Sequence, residues 1–210
     1  MNIKEKKILI IGSTGMLGSA IKRKLKQSKY KNILSPKKNE LNLFYKNRVY
    51  KYFKKNKPEL VILCAAKVGG IKDNNENKLS YLEDNVLIQD NFFNAIKHFN
   101  IKKSIFVSSS CVYPKDSTRA IKEDFFMSGK LEETNEGFAL AKIMGIKKAK
   151  FFFEKYKILV LCPIICNIYG TNDNYDPERS HVMSALIKKY VDAKKKNAKE
   201  VKLWGSGKPV

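Results

Sequence analysis

Arginine is scarce in this chain, and the scarcity decides how its charge is read. Lysine and arginine together number 42 against 20 acidic residues, a formal net charge of +22 over 210 residues. Yet only Arg23, Arg48, Arg119 and Arg179 are arginines, and the lysines are spread over nearly every segment instead of forming a stripe. A nucleic-acid site needs clustered cations that release counterions from a phosphate backbone, so no nucleic-acid partner is expected; the charge suits a small substrate that carries phosphates. Long apolar runs are missing too. Nothing approaches the ~20 residues that a membrane helix needs, and residues 1–7 lead straight into a strand without the apolar stretch of a signal peptide. The expectation is a cytoplasmic protein without membrane contact. Paired cysteines are also lacking: Cys64, Cys111, Cys162 and Cys166 have neither zinc-site spacing nor a disulfide framework. Reduced thiols and no metal are the expectations. With 43% hydrophobic residues, what remains is a globular chain able to bury one good core and to begin a second domain.

What is present is an alternation of short apolar runs with helical patterns. Residues 7–11, 60–64 and 104–107 read as strands, with a shorter one at 32–34, and helical spacing fills residues 19–28, 45–55, 79–99 and 138–156. Such alternation gives a parallel sheet, so the fold class is α/β, a Rossmann-type doubly wound parallel sheet. The first strand runs directly into G-S-T-G-M-L-G and then a helix. There Gly12 permits a tight turn, Gly15 lets backbone approach a pyrophosphate, and Gly18 allows close helix packing, while the helix N-terminus offers amide donors. Gly12, Ser13, Thr14, Gly15, Met16, Leu17 and Gly18 therefore read as a dinucleotide site. After the second strand, Lys37 and Lys38 stand where an acidic residue would take the ribose hydroxyls of NAD, and lysines favour a 2′-phosphate, hence NADP(H). The third strand ends in the small residues A-A-K-V-G-G-I, 65–71, which let backbone lie close to a cofactor or sugar. The fourth ends in S-S-S-C-V-Y-P, 108–114, placing hydroxyls and a thiol at a strand's carboxyl end, where open α/β sheets hold ligands. On its own a serine cluster there is more often a turn, and His98 reads as a helix-end residue.

Five segments in order carry a closer resemblance: G-S-T-G-M-L-G, A-A-K-V-G-G-I, S-S-S-C-V-Y-P, T-N-E-G-F-A-L-A-K at 134–142, and N-I-Y-G-T-N-D-N-Y at 167–175 followed by S-H-V. Together they resemble the extended short-chain dehydrogenase/reductases and, within them, the GDP-L-fucose synthase family. The resemblance implies an NADPH-dependent enzyme that epimerises GDP-4-keto-6-deoxymannose at C3 and C5 and reduces its C4 ketone. It also implies a homodimer built on the helices over 79–99 and 138–156. By the same resemblance Ser109 and Lys142 belong to the reductase triad, while Cys111 and His181 are the acid and base of epimerisation. Further cofactor contacts are implied at Val107, Ser108, Ser109, Ser110, Lys142, Ile165, Cys166, Asn167, Ile168 and His181, and substrate contacts at Lys189 and Trp204.

The chain departs from this pattern in three places. Where the family has its proton-donating tyrosine, four residues before Lys142, there is Phe138. Phenylalanine has no proton to give, and losing a positioned general acid costs about two to four orders of magnitude in rate, so epimerisation without efficient reduction is expected. Ile165 and Cys166 stand where the family has Pro-Thr before the asparagine. Residues 1–170 read as the NADP-binding domain and 171–210 as the start of a substrate domain, with a helix over 181–198 and a strand over 200–204. Family members continue beyond W-G-S-G-K-P-V, so this second domain is expected to be truncated. Two other readings stay open: an impaired NADP-binding paralogue, and another nucleotide-sugar epimerase or dehydratase.

Overall fold

A computed structural model describes residues 3–116, 120–176 and 180–203. Its centre is a five-stranded parallel sheet of β1 (Ile8–Ile11), β2 (Ile33–Leu34), β3 (Leu60–Leu63), β4 (Lys103–Phe106) and β6 (Leu159–Leu161), in the order β2-β1-β3-β4-β6. Parallel neighbours need crossovers, and helices supply them: α1 (Met16–Gln27), α2 (Lys46–Asn56), α4 (Lys78–His98) and α5 (Glu136–Tyr156). All four residues of β1 are buried. An uninterrupted apolar strand is what a sheet covered on both faces requires. Leu9, Ile11, Val61 and Leu63 pack into the larger core with Val49 and Phe53 of α2, Phe92, Phe93 and Ile96 of α4, and Phe152 of α5. On the other face Ile8, Ile10 and Ile62 meet Ile21 and Leu25 of α1. The sheet is therefore doubly wound, as the alternation of elements predicts.

Three features go beyond the sequence pattern. Helix α1 begins at Met16, three residues before the predicted start, because Gly15 serves as its N-cap and Ser19 N–H already donates to the Gly15 carbonyl at 2.9 Å. A short helix, α3 (Ile71–Glu76), precedes α4. Beyond the main sheet, β5 (Ser108–Ser109) pairs in parallel with β7 (Ile164–Ile165), so the chains leaving β4 and β6 stay side by side above the strand ends. One expectation needs correction: residues 200–203 form no strand, since no described strand pairs with them and an extended segment needs a neighbour for its amides. Trp204 lies outside the described residues. The last described helix is α6 (Val182–Lys195). Among the described residues no helix is long and apolar enough to cross a membrane.

Candidate active site

A cavity of about 1520 Å³ lies where the loops leave the carboxyl ends of the strands. One wall is the turn between β1 and α1. Gly12 has φ of +86°, and a Cβ on it would lie 2.6 Å from the Ala65 backbone nitrogen. Gly18 sits in the first turn of α1, where a Cβ would fall 2.1 Å from the Gly12 carbonyl oxygen. Helix and loop are thus packed backbone to backbone, and Gly12, Thr14, Gly15, Met16, Leu17 and Gly18 line the cavity. Ser13 does not: it is buried, and its hydroxyl donates to the Pro36 carbonyl at 3.1 Å, tying the chain after β2 to the glycine turn. Of the two lysines predicted to meet a 2′-phosphate, Lys38 lines the cavity. Lys37 is off the wall, with its backbone N–H donating to the Glu40 carboxylate at 2.7 Å.

The second wall comes from β4, β5 and α5. Leaving β4, the chain passes Val107 and β5 into a tight turn, Ser110–Val112, that carries Cys111. Helix α5 presents Phe138 and Lys142 four residues apart, hence on one face. The Lys142 ammonium is buried, donates to the Val107 carbonyl at 2.8 Å, and lies 4.7 Å from the ring centroid of Phe106 and 5.4 Å from that of Phe138. Burial pushes its pKa down to about 8, against a smaller opposing pull from the neighbouring Cys111, Cys64 and Cys162. Burial also raises the Cys111 thiol above its ordinary value, although the Ser109 hydroxyl and the Lys142 charge pull it back part of the way. Cys64 and Cys162 rise to about 12 and about 11 for the same first reason. At neutral pH Cys111 is therefore a thiol with a proton to give.

His181 is the N-cap of α6, exposed, with no capping hydrogen bond from its side chain, and it lines the cavity. The helix-end position expected of a bland histidine and the cavity position expected of a functional one coincide here. Val107, Ser108, Ser109, Ser110, Ile165, Cys166, Asn167 and Ile168 reach the same cavity. Lys189 does not, lying on α6 with its ammonium 3.3 Å from the Lys202 carbonyl. Among the cavity residues that sequence reasoning passes over are Tyr113, Asn74 and Asn135. Tyr113 and Asn135 lie inside segments already singled out, but a tyrosine or asparagine in a loop looks like any other until its neighbours are known.

Residues 8–210 match the NAD dependent epimerase/dehydratase family. The chain is 39% identical over 210 residues to GDP-L-fucose synthase 1 of Arabidopsis thaliana, a match covering 100% of this chain and 65% of that protein. It is 36% identical over 206 residues to the GDP-L-fucose synthase of Escherichia coli strain K12, covering 98% and 64%. The crystal structure of a GDP-L-fucose synthetase from Naegleria fowleri bound to NADP superposes with a TM-score of 0.89 at 29% identity, over 100% of this chain and 68% of that one. The chain thus spans less than two thirds of the length of the two curated relatives. With a doubly wound sheet, a glycine turn and a family match over nearly its whole length, the chain belongs to the NAD dependent epimerase/dehydratase family.

Proposed function

We propose that this chain carries the cofactor-binding and acid–base part of an NADPH-dependent epimerase/reductase acting on GDP-4-keto-6-deoxy-D-mannose, with the reductive step slowed by Phe138. The observation that carries the reading is the meeting of Cys111, Ser109, Lys142, Phe138 and His181 on one cavity whose other wall is the glycine turn. NADP(H) fits the residues present. The backbone-lined turn at the start of α1 offers amide donors to a pyrophosphate, Lys38 offers a cation to a 2′-phosphate, and the buried Ser108 hydroxyl has no partner among the described residues. When bound, NADPH supplies a hydride for the C4 ketone.

The chain's own residues handle protons. Cys111, protonated at neutral pH, delivers a proton to a carbon beside the ketone after His181 has removed one from the opposite face, which inverts that carbon. Lys142 is held at the wall by the Val107 carbonyl and orients the nicotinamide ribose. Phe138, next to it on α5, excludes water but gives the ketone oxygen no proton. Residues 171–210 begin the part of the fold that holds the sugar nucleotide, with Lys189 and Trp204 as its contacts. The exposed apolar residues Leu87 of α4 and Leu140, Met144 and Phe151 of α5 support a homodimer through these two helices. Four free cysteines suit a reducing compartment such as the cytoplasm.

Phe138→Tyr tests the reading. The phenol should raise ketone reduction by about two to four orders of magnitude, whereas Cys111→Ser should suppress proton exchange at C3 and C5 without changing the slow reduction. A rate of reduction that does not respond to Phe138→Tyr would remove the assignment. Phe138 also favours a second reading, an NADP-binding paralogue without turnover; that protein would bind NADPH and exchange no substrate protons.

A further inference from the structure

Between α3 and the turn Glu133–Asn135, two residues that line the cavity carry buried side-chain oxygens that nothing among the described residues satisfies. Asn74 of α3 is 7% exposed. Its amide nitrogen donates to the Gly69 carbonyl at 2.7 Å and the Gly70 carbonyl at 3.0 Å, which fixes the orientation of the group, yet Oδ1 is left without a donor. Asn135 stands at the N-cap of α5 but makes no side-chain capping bond, and its Oδ1 is likewise buried and unpartnered. Both residues line the cavity. The two elements are held against each other: α3 packs on the 133–135 turn. A Cβ on Gly137, in the first turn of α5, would lie 2.1 Å from the Lys78 carbonyl at the start of α4, so the approach is as close as backbone allows. Asp73 does not line the cavity; its carboxylate accepts from the Tyr81 hydroxyl at 2.8 Å and from Asn77 Nδ2 at 2.9 Å.

Buried acceptors without donors are rare in folded proteins, because each leaves its desolvation uncompensated. Two neutral carbonyl oxygens make a poor metal site, which wants more oxygens and negative charge. They make a good site for hydroxyl donors. A ketone has no hydrogen to offer, so the groups that satisfy them are the ring hydroxyls, that on C3 beside the ketone and that on C2. Asn135 is also three residues ahead of Phe138, on the same side of α5 and within one turn of the position facing the reacting carbon.

We infer that the notch formed by Asn74 and Asn135 is the subsite that receives ring hydroxyls of the hexose, with the two side-chain carbonyls accepting from them. The inference rests on the nucleotide-sugar reading above and adds which residues recognise the sugar. It makes this chain a reader of hydroxylation: a hexose lacking the matched hydroxyl leaves a buried acceptor empty and binds about 5- to 100-fold more weakly.

The test uses the whole chain loaded with NADP and measures by ligand-observed NMR the affinities of GDP, GDP-mannose and its 2-deoxy and 3-deoxy forms. One deoxy sugar should bind the wild-type chain about 5- to 100-fold more weakly than GDP-mannose. Asn135→Ala removes a side chain that makes no capping bond to α5, and it should weaken GDP-mannose by a similar factor. It should suffer no further loss with that deoxy sugar and should bind GDP unchanged. If GDP binds while all three sugars bind alike, or if the deoxy and Asn135→Ala losses simply multiply, the subsite is wrong and the broader reading survives. If neither GDP nor GDP-mannose binds the wild-type chain, both fall.

Discussion

The glycine-turn wall and the wall built from residues 107–111 and α5 border the same cavity but depend on the sequence differently. At the first wall the contacts offered to a ligand are backbone amides, and what the sequence must supply is absence: no Cβ at Gly12 or Gly18, where one would collide with Ala65 or with the Gly12 carbonyl. At the second, the proposed chemistry would depend on individual atoms, the Cys111 sulfur, the Ser109 hydroxyl, the Lys142 ammonium, and the phenol oxygen that Phe138 lacks. Phe138 is buried and packed beside Lys142, so a ring without that oxygen fills the wall there. A backbone wall resists drift because each error costs stability. A side-chain wall can lose its chemistry at no cost to the fold.

Substitutions can break or sharpen this contrast. The largest effect is expected at the second wall: Phe138→Tyr should speed ketone reduction by about two to four orders of magnitude while leaving NADPH affinity within about twofold. Gly18→Val should do the reverse. Backbone cannot yield to a side chain at 2.1 Å, so NADPH affinity measured by fluorescence titration should fall about 100-fold or more, with a loss of stability of about 1–3 kcal/mol by denaturant unfolding. If Gly18→Val bound NADPH normally, the first wall would not be a cofactor wall.

Lys142→Met probes the junction between stability and function. Burial holds the native pKa at about 8, below the unfolded value of about 10.4. Below pH 8 the ammonium is charged in both states and the native state bears the desolvation cost. As pH rises from about 8 towards 10.4 the unfolded chain holds more protons, so wild-type stability should increase relative to the variant. At pH 7 Lys142→Met should therefore be the more stable protein, by about 1–3 kcal/mol in urea unfolding, with the gap narrowing above pH 8, while its NADPH affinity falls. A variant less stable than wild type at pH 7 would mean that the Val107 hydrogen bond and the two rings outweigh burial. The smallest effect belongs to Lys38→Ala, which should lower the preference for NADPH over NADH by about fivefold, as loss of one partly exposed charge-assisted contact does. Lys37→Ala should change nothing.

Much of this architecture is legible in the order of residues alone. Strand–turn–helix at residues 8–27 is a local pattern, and the apolar runs 60–63 and 105–107 suit a buried parallel sheet. Motif spacing also brings Ser109, Cys111, Lys142 and His181 to one cavity from three separate segments. Where the sequence misleads, the cause is tertiary. Ser13 and Lys37 sit in the right segments, but the Ser13 hydroxyl turns to the Pro36 carbonyl and Lys37 lies off the cavity wall, a placement that residue type does not encode. Asn74 and Asn135 matter because their oxygens lack partners, and a missing partner is visible only once the neighbours are in place. Helix α3 is too short for periodicity to reveal.

The central claim, a chain that retains proton exchange and has lost the reductive proton, is tested most directly in one incubation. GDP-4-keto-6-deoxy-D-mannose is mixed with the wild-type chain and NADPH in deuterium oxide, and deuterium entry at C3 and C5 is followed by NMR alongside NADPH absorbance. The account predicts that deuterium appears at both carbons at least about 100-fold faster than NADPH is consumed. NADPH oxidation keeping pace with exchange would contradict it, because the ketone oxygen would then be receiving its proton from a group other than the missing phenol.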